Sequence, residues 1–182
     1  MKSRSVLKAA GALAVAGGVA LGANSLVQAA DSGRVEGQVQ ERVQLADAAQ
    51  MAAVKGRQEL MKSIGGNAKT ITDFLKESKG TAAEAGAAAA KIGELAKTIP
   101  TAFKVEASLS EMDAVGKNRG KPDIWMKWDV FTQKADTLEE KAQALASAFQ
   151  GGDSAAIQTA FGDMGKNACG SCHDDFRGPQ VE

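Results

Sequence analysis

The segment Cys169-Gly170-Ser171-Cys172-His173 constrains this chain more than any other. Both cysteines and the only histidine of the 182-residue sequence fall within these five positions. C-x-x-C-H is the attachment signature of a c-type haem. On a helix, Cys169, Cys172 and His173 stand at i, i+3 and i+4, so all three project from one face, and Phe176 extends that stripe by a turn. The chemistry requires this spacing. Two thiols must reach the two vinyl groups on one porphyrin edge, and an imidazole beside them must meet the iron as proximal ligand.

Three other readings of the motif are weaker. A redox C-x-x-C usually opens a helix in a βαβ setting, whereas both flanks here look helical and no strand pattern precedes them. A zinc site takes four protein ligands, or three plus water, and no further Cys or His remains to close one. A disulfide between Cys169 and Cys172 would be strained and would close almost no loop.

Residues 1–30 read as an export signal. Lys2, Arg4 and Lys8 form a basic start, Ala9 to Ala23 is entirely Ala, Gly, Val and Leu, and Val27-Gln28-Ala29 suits cleavage after Ala29 or Ala30. A retained anchor is the alternative, because Ala9–Ala30 carries no charge. That stretch is rich in Ala and Gly and includes Asn24, Ser25 and Gln28, which makes it a weak membrane span. Export to the periplasm also fits the motif, since covalent haem attachment in bacteria takes place outside the cytoplasm. Cleavage leaves 152 residues, enough for one domain. Of the 22 Lys and Arg residues three lie in the signal, leaving 19 against 22 Asp and Glu, a formal charge of −3. That balance points to neither nucleic acid nor an anionic membrane surface as a partner.

The composition predicts an all-α protein. Tyr is absent, aromatics are 4% of residues, Pro occurs three times, and no segment alternates apolar and polar residues for long. Residues 31–49 form an N-terminal extension. Val35, Val39 and Val43, four apart, allow a helix, Gly33 and Gly37 weaken it, and a mobile arm fits equally. Residues 50–182 form the main domain. A first secure helix is expected from about Asp47 to Lys76, with Val54, Met61, Ile64, Ala68, Ile71 and Leu75 on its seam. Arg57 falls on that stripe, where a charge needs a partner, for which a haem propionate is one candidate. Gly65-Gly66 marks either a weak turn or a close approach of backbone to a flat cofactor.

Thr81 and Glu84 form a capping box for a second helix, Ala82 to Ile99, which Pro100 stops. Residues 104–121 read as an exposed crossover. A third helix is expected from Pro122 to Phe149, with Ile124, Trp128, Phe131, Ala135, Leu138, Ala142, Leu145 and Phe149 on its seam. Gly151-Gly152 ends it, and Asp153 or Ser154 caps a fourth helix, Ala155 to Phe176, whose seam Ile157, Phe161, Met164 and Ala168 leads into Cys172. Four such helices predict an antiparallel up-down-up-down four-helix bundle holding one covalent haem near one end.

The chain resembles the class II c-type cytochromes, that is, cytochrome c prime and its low-spin, six-coordinate relatives. Three segments carry the resemblance: Arg57-Gln58-Glu59-Leu60-Met61, Pro122-Asp123-Ile124-Trp125, and Asn167 to Arg177 around the motif. It covers roughly Gln50 to Arg177, and the extra segment Asp31–Ala49 departs from the usual compact N-terminus. The resemblance implies that Cys169 and Cys172 form the thioethers of haem c and that His173 is the proximal iron ligand. It also implies that Arg177 shields the proximal face, that Arg57 lies near a propionate and that Met61 sits at the distal position. Family members commonly pair through their first two helices, which makes a homodimer an expectation, and the Ala-rich second helix permits it.

Met61 divides two functions. Bound to iron, its sulfur would make a low-spin, six-coordinate site suited to one-electron transfer, with a redox partner the sequence does not identify. Packed above the iron, it would leave an open but crowded site for small gases such as nitric oxide or carbon monoxide. The sequence around Arg57–Asn67 resembles the low-spin branch and favours electron transfer. An enzyme is not expected: no second histidine is available as a general base, and no phosphate-binding loop appears.

Overall fold

The computed structural model describes residues 23–107 and 118–179, with side chains from Arg34 onward. Most of that chain is helical, and the only strand-like pairing among the described residues is an isolated bridge between Gly120 and Arg177. No helix among the described residues is long and apolar enough to cross a membrane. The chain divides into two units between Val43 and Gln44.

Helix α1 spans Ala23–Glu77, so residues 31–49 are helical. Its Val35, Val39 and Val43 stay about half exposed. Gly33 and Gly37 are tolerated because each costs only about 1 kcal/mol in a helix that is already propagating. Within the second unit the α1 seam behaves as the spacing predicts: Val54, Ile64 and Ile71 are buried and Met61, Ala68 and Leu75 pack beside them. Gly65 and Gly66 lie on the exposed side of α1 within continuous helix.

Helix α2 spans Ala82–Ala96 and opens on the full capping box: Glu84 N–H donates to Thr81 Oγ1 at 3.2 Å, and Thr81 N–H donates to Glu84 Oε2 at 2.8 Å. It ends at Ala96, three residues before the sequence suggests. Pro100 has no N–H to donate to the Ala96 carbonyl, so the ladder stops there, and a short α3 restarts at Ile99–Ala102 with the proline in its first turn. The third expected helix is two. Helix α4 covers Asp123–Met126 and α5 covers Trp128–Gly151, divided at Lys127, whose φ of −121° and ψ of 44° are not helical. The Trp125 indole N–H donates to the Phe103 carbonyl at 2.8 Å, while Trp128 stacks on Phe131. The two indoles thus serve different neighbours on either side of the break. Gly152 takes the left-handed conformation that ends α5, with φ 74°, and Asp153 caps α6, Ser154–Asp163, by accepting from the Ala155 and Ala156 amides.

The fourth expected helix is continuous in path but changes pitch. A π-helical segment, Met164–Gly170, joins α6 to α7, Ser171–Phe176. Helix α2 packs chiefly on α5, and α5 also receives α6, the π segment and α7. The core between them is built from Ile71, Ala89, Ile92, Ala135, Ala142, Leu145, Ile157 and Met164. Alanine at the α2 positions facing α5 allows close approach, as the Ala-rich composition of that helix implies. The result is a helical bundle with an aromatic group of Phe103, Trp128, Phe131 and Phe176 at the end that carries the C-x-x-C-H motif.

Candidate functional site

Cys169 is in the π-helical segment, and Cys172 and His173 are on α7. Segments of π pitch are rare and frequently mark functional positions. Here it admits a close approach: a Cβ on Gly170 would stand 3.3 Å from the Gly165 carbonyl oxygen. Both cysteines are free, half-buried and packed against the core. Burial pushes the Cys172 thiol up to about 11, and it raises Cys169 as well. Both are therefore protonated thiols at neutral pH. That argues against a redox dithiol, which needs a low thiol pKa, and suits the addition of S–H across a vinyl group. His173 is half-buried, and burial lowers its pKa first, followed by the positive charges of Arg177 and Arg119, with Asp174 acting in opposition. The imidazole is accordingly neutral at pH 7, the form that ligates iron. No group of three or more Cys, His, Asp or Glu among the described residues is arranged to hold a metal ion by itself.

Several contacts fix α7. Phe176 packs edge-on against Phe131 of α5. Lys134, one turn further along α5, donates to Ser171 Oγ and to the Ser171 carbonyl and pairs with Asp175. Lys121 donates to the Asp174 and Asp175 carbonyls at 3.0 and 3.1 Å, satisfying acceptors at the open end of α7. The tail then runs antiparallel to residues 119–121: Gly178 N–H donates to the Arg119 carbonyl at 2.7 Å, Lys121 N–H to the Phe176 carbonyl at 3.1 Å, and Arg119 Nε to the Gly178 carbonyl at 2.9 Å. Arg177 is exposed. Its N–H donates to the His173 carbonyl at 3.0 Å, which holds it four residues beyond the imidazole.

Arg57 is buried, with 4% of its surface exposed. It donates through Nε to the Ala102 carbonyl at 3.2 Å, through Nη1 to Ala107 at 3.1 Å and through Nη2 to Val105. Its guanidinium carbon lies 5.0 Å from the Phe103 ring centroid and 5.1 Å from that of Trp125. The partner that its position on the α1 seam demands is thus the backbone of the 102–107 link together with two aromatic faces. Met61 follows one turn later on α1 and is half-buried against the core. Lys121, Lys134 and Arg119 were not apparent from the sequence. They act across separations of 53, 37 and 59 residues and lie on no periodic stripe.

The residues present fit a covalently held haem. Two protonated thiols three residues apart and a neutral imidazole share one short segment, beside an aromatic group that supplies apolar surface. The sequence profile of the family described as Cytochrome C′ matches residues 52–177. A cytochrome c-554 of Cereibacter sphaeroides is 35% identical over 126 residues, covering 68% of this chain and 79% of that protein. The crystal structure of cytochrome c′ from Thermochromatium tepidum superposes with a TM-score of 0.61 at 26% identity, covering 71% of this chain and 97% of that one. A nitric oxide complex of a cytochrome c prime variant from Alcaligenes xylosoxidans gives 0.58 at 26% identity, covering 70% and 94%. The bundle and its terminal motif define a c-type cytochrome. The chain belongs to the cytochrome c′ family, whose members carry one covalent haem c.

Proposed function

We propose that this chain is a periplasmic monohaem cytochrome that binds small gases such as nitric oxide or carbon monoxide at a crowded sixth position. In this reading Cys169 and Cys172 form the thioethers, His173 supplies the proximal nitrogen and Met61 packs over the distal side. The haem supplies an iron with one exchangeable site. The observation that carries the reading is the state of the donors. His173 is the only histidine and is neutral, so no second imidazole can fill the sixth position. Met61 is half-buried and packs against the core, which suits a side chain that crowds the distal side. The likeness to a relative solved as a nitric oxide complex supports the same reading. Arg177, at the end of α7, guards the proximal side, and Arg57 stands four residues before Met61, where a propionate within reach would add to its carbonyl partners.

A second reading keeps Met61 as iron ligand and assigns one-electron transfer. The 35% identity to a protein named cytochrome c-554, and not c′, favours it. Pairing of two copies belongs to either reading. The small outer face of α2, where Ala83, Gly86, Ala87 and Ala90 line an open groove with Phe149, suits close helix approach.

The test is the visible spectrum of the exported protein, oxidised and reduced, with and without carbon monoxide. A high-spin spectrum that shifts on adding the gas is expected. A low-spin spectrum with a methionine–iron charge-transfer band, indifferent to the gas and converted to high-spin by Met61→Ala, would establish electron transfer instead. A purified chain without haem would overturn both.

A further inference from the structure

We propose that Lys134 is a positioning residue that seats the haem-bearing helix against α5 and sets the reduction potential of the group attached there, by holding Ser171 and Asp175 at once. The inference rests on the attachment through Cys169, Cys172 and His173 proposed above.

Lys134 is placed for this role by its neighbours on α5. Phe131 and Ala135 are buried on the seam, and Lys134 flanks them on the side facing α7. Its ammonium meets three acceptors: Ser171 Oγ at 2.5 Å, the Ser171 carbonyl at 3.4 Å and Asp175 Oδ2 at 3.1 Å. The ammonium donates to both Ser171 oxygens and pairs its charge with the Asp175 carboxylate. Ser171 stands between the two cysteines, and Asp175 stands two residues after the histidine. One side chain of the bundle thus grips the attachment segment on both sides of Cys172 and His173.

The environment separates this contact from ordinary surface pairing. Six of the eight ion pairs among the described residues use lysines whose side chains are 54–71% exposed, and such pairs contribute little. The Lys134 side chain is 25% exposed. Lys141, at 28%, is similar, but its ammonium joins α5 to Asp163 of α6 instead. A charge that is partly shielded from water acts on its surroundings through a lower effective dielectric, so its field at a neighbouring centre is larger.

The electrostatic consequence has a definite sign. The oxidised haem carries one more positive charge than the reduced haem, so a nearby cation favours the reduced form and raises the potential, and a nearby anion lowers it. Lys134 and Asp175 oppose one another across the motif. Removing the lysine leaves the carboxylate unbalanced; removing the carboxylate leaves the ammonium unbalanced.

The experiment measures the midpoint potential of the haem-loaded protein and of five variants by spectroelectrochemical titration. Lys134→Met is expected to lower the potential, Asp175→Asn to raise it, and the double variant to return toward the parent value. Lys134→Arg keeps the charge and restores the potential. Lys91→Met, at an exposed pair on α2, leaves it unchanged. If Lys134→Met is recovered without haem, Asp175→Asn, whose side chain is 54% exposed, decides the sign alone. Single variants whose potentials move no more than that of Lys91→Met would overturn the inference, even if they lower thermal stability. A parent protein without haem would overturn the proposed function instead, so the two failures are distinguishable.

Discussion

Phe176, three residues beyond His173, meets Phe131 edge to face, with ring centroids 5.3 Å apart and planes at 89°. This is a favoured geometry for two aromatic quadrupoles and contributes about 1 kcal/mol beyond burial. Phe131 also meets Phe103 at 5.1 Å and Trp128 at 5.7 Å. One ring on α5 therefore joins the attachment helix to the end of α3 and to the start of α5. The attachment helix is held to this group through Phe176, while Cys169 and Cys172 pack against the core, where burial raises both thiols.

Phe131→Ala is therefore expected to destabilise the fold by about 3–5 kcal/mol, the usual range for removing a buried phenyl ring. Phe131→Leu, which retains most of the volume, should cost much less. Chemical denaturation followed by circular dichroism measures both, and equal costs for the two variants would contradict the importance of the aromatic contacts.

Arg57 yields a prediction of a different kind. Its Nε and both terminal nitrogens are engaged by carbonyls of the 102–107 link, and its guanidinium carbon lies over the rings of Phe103 and Trp125. Burial lowers its pKa but leaves it charged, as guanidinium is at any physiological pH. Arg57→Met keeps much of the apolar stem and removes a donor from three carbonyls, of which only Ala107 keeps another, the Asn118 side-chain amide at 3.1 Å, so a loss of about 3 kcal/mol is expected. Arg57→Lys restores the charge without the planar fork and should recover only part of that. Hydrogen exchange localises the effect: protection should fall in 102–107 before the core of α5.

How much of this was legible in the sequence depends on the range of the interaction concerned. The seams of α1, α2 and α5 were readable because periodicity is local: Ile64, Ile71, Ile92, Leu138 and Leu145 are buried where the spacing puts them. The caps at Thr81 and Gly152 were readable because each depends on residues only a few positions apart. The break at Lys127 and the π segment were not, since neither carries a local propensity signal. The motif identified its own residues, Cys169, Cys172 and His173. Its supports, Lys121, Lys134 and Phe131, come from elements far away in the chain, and no spacing rule connects them. Arg57 was half legible: its position on an apolar stripe required a partner, but the carbonyls that meet it lie 45 to 50 residues further on.

Covalent attachment predicts a graded loss across the motif. Cys172→Ser removes one thioether and should leave a protein still joined to haem through Cys169. Cys169→Ser with Cys172→Ser should lose haem on acid–acetone extraction. The alkaline pyridine haemochrome spectrum counts the vinyl groups that remain unreacted, so each lost thioether should shift its band to longer wavelength. Full retention of haem after extraction of the double variant would refute attachment at these residues.

Acid stability offers the last test. The Asp163 carboxylate accepts hydrogen bonds from Lys141 at 2.6 Å and from Asn167 at 2.6 Å, and these hold its pKa below the ordinary aspartate value, with the lysine contributing most. The native state therefore binds this proton less readily than the unfolded chain. By linkage the stabilising contribution is fully present above the unfolded aspartate pKa, near 4, and is lost as pH falls through that value toward the depressed native one. Asp163→Asn abolishes that titration. Its unfolding free energy should lie below the parent's at pH 6, and the gap should close as pH falls toward 3. Lys141→Met should reproduce the pattern, because it removes the principal cause of the shift. Parallel stability profiles for parent and Asp163→Asn between pH 6 and 3 would show that the α5–α6 pair contributes nothing through its charge.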